Sequence, residues 1–160
     1  MNDPDTRTPA RATPVKLLTG FARDDRRQFL ARGRPVELAF QETFMEEGDR
    51  DLNLYVVLTG SVSTWRGGVK TATLGAGEVL NETKIFLPRP NPNAAVAETE
   101  DTAVLRLPRS ELLAFFRDRP ERLLKVFVLN IVAILAHKLE NRDDAMIASL
   151  LPLAPTAEGN

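Results

Sequence analysis

The chain has 160 residues, enough for one ordinary domain that buries roughly two-thirds of its unfolded surface. Its net charge of −1, with 43% hydrophobic and 27% charged residues, lacks the basic excess of a nucleic-acid binder. With no cysteine, disulfides, thiolate zinc sites and thiol catalysis are excluded, and a cytoplasmic location fits.

Residues 1–14 are rich in Pro, Thr, Asp and Arg and have no apolar run of the kind that marks a signal peptide. They are expected to form a disordered tail. Residues 15–32 show helical spacing through Leu17, Leu18, Phe21, Phe29 and Leu30, with Asp24 and Asp25 near a helix start. Residues 35–107 then read as short strands: Val36, Leu38 and Phe40 in alternation, Thr43–Met45, Leu52–Leu58, Val62–Trp65, Val69–Leu74, Ala94–Ala97 and Ala103–Leu107. Gly48-Asp49, Thr59-Gly60-Ser61 and Arg66-Gly67-Gly68 supply the turns. Many short strands at near-regular spacing predict a sandwich or barrel.

Residues 109–148 return to helix, with a short segment through Leu112, Leu113, Phe115 and Phe116. A longer one follows Pro120, whose place suits a first-turn proline. The longer helix is apolar almost all round: Leu124, Phe127, Ile131 and Leu135 on one side, Val126, Leu129 and Val132 on the other. Such a helix is covered on more than one side, and the simplest second partner is the same helix of another subunit, so a homodimer is expected. The apolar run Val126–Ala136, interrupted by Asn130, is too short for a membrane span of about 20 residues. Residues 149–160 are expected to be a flexible tail.

The order helix, strands, short helix, long helix resembles the cyclic-nucleotide-binding family, which includes the catabolite activator protein. Gly48-Asp49 followed by Leu54-Tyr55-Val56-Val57-Leu58-Thr59-Gly60-Ser61-Val62 is similar to the family's core motif. Leu74-Gly75-Ala76-Gly77-Glu78-Val79 is similar to the approach to its phosphate-binding cassette, and Ala94-Ala95-Val96-Ala97 to the cassette's end. The likeness covers roughly residues 15–148. It implies a mainly β fold with flanking helices, a double-stranded β-helix or jelly roll with an N-terminal helix and C-terminal short and long helices.

The resemblance also implies a site. In the family a short helix aims its N–H groups at a cyclic phosphate, an arginine clamps that phosphate, and a glutamate accepts from the ribose. Here Glu82 keeps the glutamate. Asn81 stands in the family's glycine position, Pro92 in that of the arginine, and Asn93 in that of a serine or threonine. Losing one partner of a buried charge pair costs ~2–5 kcal/mol, or roughly 30-fold to a few thousandfold in affinity. Standard cyclic AMP or cyclic GMP binding is therefore in doubt. Arg89 and Lys84 are the cations near enough in sequence to substitute; as ordinary surface charges they would be solvated. The candidate ligand residues are Asn81, Glu82, Thr83, Lys84, Arg89, Asn93 and Ala94. Glu82 reads equally as a carboxylate that caps nearby N–H groups.

Other chemistry fares worse. His137 is the lone histidine, too few for a cupin-like metal enzyme. Gly-x-Ser-x-Gly is absent, and the glycines do not form a P-loop. Tyr55 and Trp65 read as packing residues. The stretch from Pro152 onward offers no recognition helix, so direct DNA binding is not expected. The expectation is a non-enzymatic, stand-alone bacterial sensor module. It has no certain cofactor, a cyclic nucleotide or cyclic dinucleotide as possible ligand, and a homodimer or protein partner for output. The alternative is a ligand-free interaction scaffold, told apart by whether its own side chains fill the pocket beside Glu82.

Overall fold

The computed structural model describes residues 13–150, apart from the side chains at 143 and 145–150. The two expected tails fall outside that span at 1–12 and 151–160. The strands are β1 (Arg34–Glu37), β2 (Thr43–Met45), β3 (Asn53–Thr59), β4 (Ser61–Arg66), β5 (Val69–Gly75), β6 (Val79–Leu80), β7 (Ala94–Ala97) and β8 (Ala103–Pro108). They form two four-stranded antiparallel sheets, ordered β1-β8-β3-β6 and β2-β7-β4-β5. The chain crosses between the sheets at most connections, giving the expected roll.

Local chemistry explains the main features. β4 and β5 meet at a two-residue turn in which Gly67 and Gly68 both take positive φ, +57° and +76°, the turn that suits the twist of paired strands. In β3 the side chains alternate. Leu54 and Val56 join a cluster with the helices, while Tyr55 and Val57 join one between the sheets. Gly77 is required by close approach: at φ +85°, a Cβ there would lie 2.3 Å from the Pro14 carbonyl oxygen. Two details depart from expectation. The first strand stops at Glu37, leaving Phe40 exposed, and the two-residue β6 was not anticipated.

A 3-10 turn at Lys16–Leu18 leads into α1 (Arg23–Leu30); α2 (Arg109–Arg117) and α3 (Glu121–Leu150) follow the roll. Asp24 and Asp25 lie in the first turn of α1, where negative charge favours the helix dipole. Pro120 sits just before α3 and accepts the Leu123 N–H. The helix extends two residues beyond the expected boundary at 148. Phe29 is the hub of the helical side, with ring centroids 6.1 Å from Phe21, 5.2 Å from Phe115 and 5.8 Å from Phe127. It thereby ties α1 to α2 and α3 in the edge-on and tilted arrangements that aromatic rings favour. Asn130, the polar break in the apolar run, donates to Leu17 O and Thr19 O and fastens α3 to the leading segment.

Candidate functional site

The segment after β6 makes a single tight turn. Lys84 N–H donates to Asn81 O at 3.0 Å and Leu87 N–H to Thr83 O at 2.8 Å. Asn81 opens the turn at φ +61°, in the left-handed region that favours glycine but admits asparagine. Its amide donates to Asn53 O and to Met45 Sδ. An asparagine can therefore hold this place because its side chain bonds to the neighbouring strands β2 and β3. The turn's far end is held from α2, where Arg109 Nε donates to Lys84 O and Ile85 O at 3.1 Å each.

Glu82 is buried at 4% exposure, and its carboxylate is engaged. Lys138 of α3 approaches to 2.6 Å and also donates to Val79 O at 2.8 Å. The ribose acceptor expected from the sequence is thus already paired with the long helix.

Lys84 corrects the surface reading. It is 4% exposed, and its ammonium donates to Arg89 O. Burial pushes its pKa below the usual lysine range, with the Asp51 charge acting weakly in the opposite sense. Asp51 itself is engaged by the Tyr55 hydroxyl and by Asn53. Burial, then that hydrogen bond, pushes the Tyr55 phenol up. Arg89 is exposed, as expected.

The loop that follows carries Pro92, and a cation does stand beside it. Arg66, at the end of β4, donates from Nε to Pro92 O at 3.2 Å and to Asn93 Oδ1 at 3.1 Å. Sequence reading missed Arg66 because it lies 26 positions from Pro92, and only the β4–β7 pairing brings the two together.

A cleft of about 1030 Å³ runs from the roll to α3. Asn81, Glu82, Thr83, Lys84, Arg89 and Asn93 all line it; Ala94, the seventh candidate, lies in β7 and does not. Among the described residues, five cations line the cleft, Arg66, Lys84, Arg89, Lys138 and Arg142, against two carboxylates. Both carboxylates are occupied: Glu82 by Lys138, and Glu78 by Gly75 N–H and Lys16. His137, on the α3 wall, contacts Asn141. Among the described residues, no three His, Asp or Glu side chains come together as a metal site requires, and no helix is long and apolar enough to cross a membrane.

A family profile for the cyclic nucleotide-binding domain matches residues 35–119, just over half the chain. The catabolite activator protein of Thermus thermophilus is similar at 28% identity, with a TM-score of 0.68 over 83% of this chain and 62% of that one. This chain therefore spans less than two-thirds of that relative. A cyclic nucleotide-binding domain from Methylobacillus flagellatus KT is 20% identical, with a TM-score of 0.73 over 83% and 76% of the two chains. The CLP global regulator of Xanthomonas campestris, described as c-di-GMP responsive, is 18% identical, with a TM-score of 0.70 over 80% and 65%. At these two identities the likeness is one of fold. Comparison with curated proteins finds no match.

Proposed function

The chain belongs to the cyclic nucleotide-binding domain family, and from that premise we propose that it is a regulatory module sensing an anionic nucleotide in the cleft between roll and α3. The observation that supports this reading most is the cleft itself. The protein's own side chains leave the cleft open between the cassette turn on one side and α3 on the other, with Lys138 alone covering the Glu82 carboxylate. A ligand hydroxyl reaching Glu82 would compete with Lys138 for the carboxylate. Breaking that pair would loosen α3 from the cassette and shift the population of α3 packings.

The output surface is the far side of α3. Leu129 and Val132 are exposed there at 67% and 56%, and Leu139, exposed at 60% where α3 reaches the cleft, continues their three-four spacing through Ala136, the spacing of a helix–helix seam. This face would pair with its copy in a homodimer. The protein would act in the cytoplasm, without chemistry of its own, on a protein partner.

A ligand-free scaffold has one observation in its favour, since Glu82 already has a partner. Calorimetric titration with cyclic AMP, cyclic GMP and cyclic di-GMP separates the two. The sensor reading expects saturable binding by at least one, lost in Glu82→Ala. No heat and no thermal shift with any of them would leave the scaffold.

A further inference from the structure

The loop from Arg89 to Asn93 is gripped by two cations from different elements. Lys84 reaches Arg89 O from the cassette turn, and Arg66 reaches Pro92 O and Asn93 Oδ1 from β4. Both side chains line the cleft. The Arg66 bonds use Nε alone, so the two amino groups of its fork have no partner among the described residues. Neither Arg66 nor Lys84 forms an ion pair among those residues, and the same holds for Arg89 and Arg142 on the same walls. A buried ammonium held only by a carbonyl is costly. Its burial is better compensated when an anion completes its surroundings.

We propose that Arg66, backed by Lys84, is the phosphate clamp of this cleft, and that the clamp suits a nucleotide carrying at least two phosphate charges. The charge thus comes from β4, to a loop whose own Pro92 and Asn93 carry none. A guanidinium fixed through Nε presents the rest of its planar fork to a phosphate, a geometry that lysine does not reproduce. Two points argue for more than one charge. Four cations on the walls lack a carboxylate partner among the described residues, and the cleft, at about 1030 Å³, slightly exceeds the ~300–1,000 Å³ typical of small-molecule sites.

This inference deepens the sensor reading and rests on it, but the two can fail separately. Trp65 adjoins Arg66 and is the chain's one tryptophan, so its fluorescence reports on the clamp. Wild type, Arg66→Gln and Arg66→Lys are titrated with cyclic di-GMP, cyclic AMP and inorganic pyrophosphate over a range of ionic strength. Melting curves establish that each variant is folded. Cyclic di-GMP and pyrophosphate are expected to bind more tightly than cyclic AMP. Arg66→Gln is expected to weaken both by about 30-fold and to flatten their salt dependence, with Arg66→Lys keeping part of each. Nucleotide binding unchanged in Arg66→Gln, or weakened with an unchanged salt slope, overturns the clamp and leaves the sensor. Equal affinity for cyclic AMP overturns the two-charge assignment. Arg66-dependent pyrophosphate binding without any nucleotide binding keeps the clamp and removes the sensor. No response of the wild type to any probe overturns both.

Discussion

The two faces of the β1-β8-β3-β6 sheet are packed by different means. The helix-side face meets Phe29, Phe115, Phe127, Leu112 and Ile131, a cluster of aromatic and aliphatic side chains. The other face meets the second sheet through a mixed cluster, with Leu38, Met45, Tyr55, Leu74 and Leu80 beside the smaller Val57, Val62, Ala95 and Ala97. Nearby Ser63, Thr64, Glu82 and Lys84 are also buried, and this half opens into the cleft. Apolar contact is non-directional and close-packed, so the helix side resists change. Buried polar groups keep partners that a ligand can exchange, so the cleft side can respond. Stability and responsiveness are thus assigned to different parts of the molecule, the Phe29 cluster and the cleft that the roll shares with the later part of α3.

The largest expected effect is on the helix side. Phe29 is fully buried at the meeting of three helices, so Phe29→Ala should cost about 3–5 kcal/mol in urea unfolding. Arg66→Gln, at an exposed position, should stay within about 0.5 kcal/mol. Comparable costs for the two would break the division.

Next comes the bridge between cassette and α3. Lys138→Ala leaves the buried Glu82 carboxylate without its ion-pair partner. Because the lysine is 32% exposed, the penalty is discounted to about 1–3 kcal/mol. Adding Glu82→Gln should return part of that loss, and a double-mutant cycle measures the coupling. Simple additivity would show that the pair does not link the two elements.

Tyr55 sharpens the comparison through pH. Its pKa is raised above the ordinary 10.0, so above pH 10 the folded state keeps a proton that the unfolded state has lost. That contribution to stability is complete below pH 10 and falls as pH rises through the folded value. Tyr55→Phe should cost about 1–2 kcal/mol near neutral pH and reduce the alkaline loss of melting temperature. Lys84 acts with the opposite sign, since its lowered pKa makes the penalty for burying its charge fade as pH rises toward 10.5. With one tyrosine in the chain, tyrosinate absorbance follows Tyr55 alone; ionisation at the ordinary value in the folded protein would remove this contribution. The smallest effect on the fold is expected from Leu129→Asp, within about 0.5 kcal/mol for an exposed residue, while the mass seen by light scattering falls from dimer to monomer. An unchanged mass would remove α3 as the dimer seam.

The strands were legible where alternation or a turn marked them. Ala94–Ala97 matches β7 at both ends, and Arg66-Gly67-Gly68 gives the β4–β5 hairpin. β6 was not, because two residues carry no period. The cassette residues from Asn81 to Asn93 are contiguous in sequence and were legible as a group. Arg66 and Lys138 were not, because each reaches the cleft from another element. Lys84 was misread for a different reason. A lysine in a loop is normally solvated, and only the fold of the Arg89–Asn93 loop supplies the carbonyl that holds it inside.

The division between the Phe29 cluster and the cleft is tested most directly by amide hydrogen exchange with and without saturating nucleotide. The expected result is added protection in the turn and loop at 79–93 and reduced protection in the cleft-lining part of α3 at 135–142, where the Lys138 bond to Glu82 is lost, with 23–30 and 109–117 unchanged. Exchange unaltered throughout, or altered chiefly around Phe29, would contradict it.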